Sequence, residues 1–245
     1  MTLHLLHLQE YPIFDQLQLE EALVRSDERN WCIINEGSPR SIVMGISGKP
    51  EELIDQKKLN EDPVPVIKRF SGGGTVIVDS NTLFISFIFQ KELHRFPAYP
   101  EPILKWSAEL YQSSFMLDSF HLRENDYVIG EKKCGGNAQY IRKDRWLHHT
   151  SFLWDFHQEN MHYLLHPKKT PKYRSGRSHE EFLCRLSDHF SDKEELLNRL
   201  KEALRSRYTL IETDLANVVP VLQQLHRKTT IKCGQFSPST SDQVP

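Results

Sequence analysis

Three consecutive glycines, Gly72, Gly73 and Gly74, stand just after Arg69 and Ser71. Without side chains, their N–H groups can line a concave turn that attracts anions. Arg69 adds a permanent charge with several donors. The stretch lacks the Gly-Lys-Ser/Thr ending of a P-loop. Alone, a Gly-Gly-Gly run fits a tight hairpin loop. Arg69, and the β-rich run Thr75-Val76-Ile77-Val78-Asp79 that follows, shift the reading towards a ligand loop.

A second cluster is Asn125-Asp126 followed by Lys133-Cys134-Gly135-Gly136-Asn137-Ala138. A lysine held beside a Gly-Gly pair and an amide could neutralise a carboxylate and a phosphate together. Most lysines in turns are simply solvated. A third is Trp146-Leu147-His148-His149-Thr150-Ser151. Neighbouring residues on a strand point to opposite faces, so the two histidines are poorly placed to chelate one metal. One can line a pocket while the other is a core or surface residue. Cys32, Cys134, Cys184 and Cys233 show no CxxC or zinc spacing, which fits free thiols in a reducing compartment.

These residues need a frame. Residues 15–25 read as a helix, with Leu19, Ala22 and Leu23 on one side and Glu20 and Glu21 between them. Short apolar runs at 31–34, 41–45, 63–69, 75–79 and 82–88 read as strands, with Asp79-Ser80-Asn81 as a turn. Residues 102–118 suit a helix. Asp126 to Gly136 reads as strand, turn and strand. Residues 193–207 form the clearest amphipathic helix. Gly234 onward is Pro- and Ser-rich and reads as a disordered tail. Meandering strands with interspersed helices favour an α+β fold.

The 245 residues carry 31 Lys plus Arg against 33 Asp plus Glu, a net charge of −2. That argues against a surface built for nucleic acid. No run is long and apolar enough to span a membrane. Met1-Thr2-Leu3-His4 lacks the signature of a signal peptide, so a cytoplasmic protein is the expectation, an organelle being open if the source is eukaryotic.

Order and spacing make the whole more specific than any motif. From about residue 10 to about residue 190 the chain resembles the lipoate–protein ligase A family, within the biotin/lipoate ligase catalytic fold. Arg69, Ser71, Gly72, Gly73, Gly74, Val76 and Asp79 are similar to the family's glycine loop. Asn125, Asp126, Lys133, Gly135, Gly136, Asn137 and Ala138 match its Asn-Asp and lysine segments. His148-His149 match its His-His-Gly-Thr, which here continues Thr150-Ser151. The stretch from Val43 to Pro50 and the Trp-Leu-His-His-Thr-Ser-Phe-Leu-Trp run look most like a divergent, plant- and chlamydia-type branch.

The resemblance implies a mixed or antiparallel sheet with flanking helices over residues 1–190, a short helical C-terminal extension over 191–233, and the tail. It implies ATP-dependent joining of lipoate or octanoate to AMP, then transfer to a lysine of a lipoyl carrier domain. Such domains belong to the acyltransferase subunits of 2-oxoacid dehydrogenases and to the glycine-cleavage H protein. Lys133 would meet the carboxylate and α-phosphate, and Arg69 phosphate charge. Gly74, Thr75, Val76 and Ile77 would meet the nucleotide. Asn125 and Asn137 would orient the ligand, with Ser71, Asp79, Asp126, Gly136, Ala138 and His149 completing the binding set. Mg²⁺ would arrive with ATP; no resident metal or tightly bound cofactor is implied.

Larger family members carry an accessory domain that helps adenylate formation. The chain after residue 185 is short, so a separate activating partner, or use of a ready-made adenylate, is a further expectation. Two alternatives stand beside the ligase. Cysteine-dependent acyltransferases share the fold, but Leu122 to Asp126 holds no cysteine, and Cys134 reads as a buried apolar residue. A non-catalytic acyl-binding protein is the other. Finally, Lys168, Lys169, Lys172, Arg174 and Arg177 form either a solvated loop or a dock for an acidic carrier domain or phosphate.

Overall fold

The computed structural model describes residues 1–166 and 170–234. The chain runs β1 (Thr2–Gln9), α1 (Ile13–Ser26), β2 (Trp31–Glu36) and β3 (Ser41–Met44). Two short helices, α2 (Pro50–Leu53) and α3 (Gln56–Glu61), precede β4 (Val66–Lys68), β5 (Thr75–Val78) and β6 (Thr82–Gln90). Then come α4 (Pro100–Phe115), β7 (Phe120–Arg123), β8 (Asp126–Ile129), β9 (Lys132–Ile141) and β10 (Arg145–Leu153). The last elements are α5 (His179–Phe182), α6 (Lys193–Arg205), β11 (Thr209–Glu212) and β12 (Ile231–Lys232), with several 3₁₀ turns between.

The strands form two sheets. Eight run in the order β11-β1-β2-β6-β10-β9-β8-β7, and four in the order β12-β4-β3-β5. β11, β1 and β2 are mutually parallel, as are β3 and β4; every other pairing is antiparallel. One face of the large sheet packs against α4 and α6: Leu3, Leu5, Phe87 and Phe152 meet Ile103, Leu110, Leu197 and Leu200. The opposite face meets α1, where Leu19, Ala22 and Leu23 pack with Trp31, Ile33, Phe70, Ile88 and Leu147. Ile13 and Leu17 of α1 join Val43, Ile67, Val78 and Phe84, tying helix and small sheet together. Among the described residues, no helix is long and apolar enough to cross a membrane.

The α+β reading and its flanking helices agree with this architecture. Several features add to the sequence reading or depart from it. The run Thr2–Gln9 is an interior strand of the large sheet, with Leu3, Leu5, Leu6 and Leu8 buried. It is completed by Thr209–Glu212, 200 residues away in sequence, in parallel register Thr2↔Thr209. The expected turn at Asp79-Ser80-Asn81 is present, but it leads from the small sheet, which holds β5, to the large one, which holds β6. Lastly, residues 191–233 share the core: α6 packs into it, β11 extends the large sheet and β12 the small one. The tail from Gln235 onward lies outside the described residues, as do Lys168 and Lys169.

Glu20 and Glu21 are buried along with the apolar residues that flank them. Glu21 Oε1 and Oε2 accept from Thr229 N at 2.9 and 3.0 Å, and Glu21 Oε2 from Thr230 N at 2.9 Å; Arg25 pairs with the same carboxylate at 3.0 Å. Burial pushes the Glu21 carboxyl up, but the Thr229 and Thr230 donors more than offset it and hold it below the usual carboxylate range. This clamp brings β12 onto β4.

Candidate active site

The glycine loop is a crossing. β4 and β5 flank β3 rather than each other, so Arg69–Gly74 arches over the end of β3. Gly45 ends that strand, and a Cβ there would meet the Gly73 carbonyl oxygen at 2.4 Å. Gly73 has φ +95, a conformation only glycine takes readily. A Cβ on it would meet Arg69 Nη2 at 2.7 Å and Ala138 Cβ at 3.1 Å. The loop therefore rests on Asn137–Ala138 of β9.

Arg69 is buried inside this arch. Its guanidinium donates to Ser71 Oγ (Nε, 3.0 Å), Gly72 O (Nη2, 2.6 Å) and Gly74 O (Nη2, 3.0 Å). Burial pulls its pKa down to about 10. Arg69 thus braces the loop from within. Asp79, placed in the ligand set from sequence, shapes the turn between sheets: its Oδ1 accepts from Asn81 N at 2.9 Å and its Oδ2 from Asn160 Nδ2 at 2.8 Å.

Lys133 sits near the start of β9. Tyr127 pairs with Gly135 and Val128 with Lys133, so Cys134 is an extra residue on that strand, a bulge that re-aims its neighbours. Lys133 Nζ lies 2.7 Å from Asp126 Oδ1, and Asp126 Oδ2 accepts from the Tyr173 hydroxyl at 2.8 Å. Burial and the Asp126 carboxylate push that phenol up. A Cβ at Gly136 would stand 3.3 Å from Lys133 Nζ, so the glycine leaves the lysine its path. Asn137 Nδ2 donates to the Asn125 carbonyl at 2.6 Å, fastening the β7–β8 turn to β9.

Cys134 is fully buried, and its thiol donates to Tyr127 O at 3.3 Å. Burial pushes it well above the ordinary thiol range, away from the thiolate a nucleophile needs.

β10 separates the two histidines as strand alternation requires. His148 faces the core, with Nε2 2.8 Å from Tyr127 Oη, and burial pushes its pKa down to about 3. His149, opposite Ala138 in register, lies on the loop side. Its Nε2 is 3.0 Å from Ser71 Oγ, and its Nδ1 donates to Glu20 Oε2 at 2.8 Å.

The structure thus brings the glycine loop, Asn137–Ala138 and His149 together, with Lys133 earlier on β9, the strand that carries Asn137–Ala138, and Asp126 on its neighbour β8. Sequence reasoning missed Glu20, Gly45 and Tyr173. Glu20 carried one signal, a carboxylate interleaved with core positions of a helix. His179 also faces this end: burial, then the charges of Arg174, His166 and Lys133, push its pKa down to about 4. Arg174 is buried against Phe182, and Arg177 donates to the Glu131 and Tyr173 carbonyls. The expected docking patch therefore keeps only Lys172 fully exposed among its described members.

The sequence model of the lipoyl protein ligase A/B catalytic domain matches residues 12–207. The chain is 28% identical over 241 residues to the inactive lipoate–protein ligase 2 of Plasmodium falciparum, covering 74% of this chain and 62% of that protein. It is 27% identical over 183 residues to the lipoate-protein ligase LplJ of Bacillus subtilis, covering 72% and 54%. The chain thus spans less than two thirds of these relatives' length. In fold it is similar to a bipartite lipoate protein ligase of Thermoplasma acidophilum, described with its E2 lipoyl domain (TM-score 0.75, 20% identity, 91% of each chain). It is equally similar to a lipoate-protein ligase A bound with ATP (TM-score 0.74, 20% identity, 91% and 93% covered). With the match covering most of its length, this chain belongs to the lipoyl protein ligase A/B catalytic-domain family.

Proposed function

We propose that the protein is a lipoate–protein ligase that activates lipoate, or octanoate, with ATP and passes the acyl group to a lysine of a lipoyl carrier domain. The observation that carries this reading is that one strand, β9, holds both Lys133, steadied by Asp126, and Asn137–Ala138, the seat of a glycine loop braced by Arg69. Joining two anions needs charge neutralisation where they meet, and a half-buried ammonium supplies it more strongly than one in water. Asp126 holds that ammonium in place until the ligand carboxylate and α-phosphate arrive. The carrier lysine attacks the mixed anhydride, so no enzyme nucleophile is called for.

An orphaned atom supports an anionic nucleotide. Among the described residues, neither Thr75 Oγ1, directly after the glycine loop, nor the buried Arg174 Nη2 has a hydrogen-bond partner. A nucleotide phosphate at the glycine loop would give Thr75 Oγ1 a partner. Among the described residues no three His, Cys, Asp or Glu side chains cluster to hold a metal. Mg²⁺ would enter with the nucleotide, held by the triphosphate oxygens.

The test is pyrophosphate release by purified protein with ATP and Mg²⁺, comparing lipoate, octanoate and biotin. Lipoate- or octanoate-dependent release is expected. If release is absent, lipoyl-adenylate plus a carrier domain separates a chain that needs a partner for activation from one that cannot transfer. Failure of both reactions in folded protein overturns the ligase reading in favour of an acyl-binding protein.

A further inference from the structure

Glu20 is a carboxylate with no exposure, in the middle of α1. Its Oε1 accepts from Gln16 Nε2 at 2.8 Å and from Ser86 Oγ at 2.6 Å. Gln16 cannot turn its amide round freely, because Asn35 Nδ2 donates to its Oε1 at 2.8 Å. The other carboxylate oxygen, Oε2, faces His149 Nδ1 at 2.8 Å. Every neighbour of Glu20 is thus a donor, and Nδ1 must carry the proton. In the neutral imidazole this leaves Nε2 as an acceptor. The group in reach of Nε2 is the Ser71 hydroxyl, 3.0 Å away, whose oxygen already accepts from Arg69 Nε at 3.0 Å.

We propose that Glu20 is a positioning residue: by fixing His149 as the Nδ1–H tautomer it aims the Ser71 hydroxyl and, with Arg69, locks the Gly72–Gly74 loop. The order Ser71–His149–Glu20 resembles a hydrolytic triad. Here, however, the serine is fully buried and one lone pair is occupied by Arg69, so the chain of hydrogen bonds ends in an anchor and not in a nucleophile. That this loop receives an acyl group rests on the ligase reading above; the tautomer and the lock do not.

The experiment uses the full chain labelled with ¹⁵N-histidine, read by long-range NMR correlation at neutral pH, followed by calorimetric titration with lipoate. The wild-type His149 should show a protonated Nδ1 and a bare Nε2. Glu20→Gln preserves shape but keeps one acceptor oxygen. Gln16 and Ser86 both donate towards Oε1, so the amide oxygen stays there and the new NH₂ points at Nδ1. The ring then turns over to its Nε2–H form and Ser71 loses its acceptor. We expect an inverted tautomer, shifted Gly72–Gly74 amide resonances and lipoate affinity lowered about tenfold. An Nε2–H tautomer in the wild type overturns the proposal even if Glu20→Gln fails to fold. So does a variant whose tautomer inverts while the loop amides stay still. Absence of lipoate binding by a wild-type protein that shows the Nδ1–H tautomer, with the loop responding in the variant, upholds the lock and sinks the ligase reading instead.

Discussion

Gly45→Ala is the sharpest perturbation of the loop that leaves the loop's own residues untouched. Gly45 has ordinary backbone angles, so alanine brings no conformational strain of its own. Its Cβ, however, would stand 2.4 Å from the Gly73 carbonyl oxygen. Ordinary van der Waals contact begins near 3.4 Å, so the arch must retreat by about 1 Å. A misplacement of about 1 Å at a reacting centre can cost roughly 100-fold in rate, or about 2.7 kcal/mol of transition-state stabilisation. Folding should be affected far less. Gly→Ala at a compatible site gains about 0.4–1 kcal/mol from the unfolded chain, offsetting part of the loop strain. The Tm should therefore move by only a few degrees, at about 2–4 °C per kcal/mol for a chain of this size. The assay is kcat/KM for transfer of lipoate to a carrier domain, run beside a thermal melt and the Gly73 amide resonance. Wild-type kinetics with an unmoved Gly73 amide would refute the close approach of β3 to the loop. Lost activity with a collapsed melt would refute its confinement to the loop.

Further outcomes follow from other contacts. Lys133→Ala should lower adenylation by about 10²–10³-fold without changing the circular dichroism spectrum; full activity would defeat the site assignment. Cys134→Ala should retain most transfer activity and lose on the order of 1 kcal/mol of stability, read by urea titration. Glu21→Ala removes the acceptor of Thr229 N, Thr229 Oγ1, Thr230 N and Arg25 Nε, so β12 should loosen. Hydrogen exchange at Thr229, Thr230 and Cys233 should accelerate, with a loss of about 3 kcal/mol. His148, held near pKa 3 by burial against 6.5 in the unfolded chain, stays neutral while the unfolded state takes up a proton. Its contribution therefore falls as pH drops from about 6.5 towards 3, by about 1.4 kcal/mol per unit. His148→Gln should flatten that slope of unfolding free energy against pH.

What was legible in sequence was local. Leu19, Ala22 and Leu23 marked α1, the Leu-rich spacing marked α6, and alternation sent His148 and His149 to opposite faces. The glycines and Lys133 stood out because few roles suit those residue types in that setting. What was not legible depends on distant partners. The leucines of Thr2–Gln9 do not alternate strictly, because Leu3 and Leu5 serve one face and Leu6 and Leu8 the other; such a two-faced strand is recognised by its neighbours, one of which lies near the far end of the chain. That Arg69 braces its loop was not legible, because sequence shows a charge and not the carbonyls that surround it. Glu20 looked like a helix-surface carboxylate because Ser86 and His149, which make its burial tolerable, sit on two other strands. Arg174 and Arg177 looked like a solvated basic patch until Phe182 and nearby carbonyls claimed them.

The pairing of β1 with β11 bears on how the protein is made. A ribosome releases Thr2–Gln9 before the candidate site and Thr209–Glu212 only after every residue of that site has emerged. Until then β1 has one neighbour, β2, and offers its other edge, rich in leucine, to any strand nearby. Glu21 likewise waits, a carboxylate within an apolar helix face, for Thr229 and Thr230. Nascent chains should therefore be most prone to cross-pair late in synthesis, and holdase chaperones should engage them there. Supplying the missing C-terminal segment in trans to a chain stalled short of residue 209 should quench that engagement.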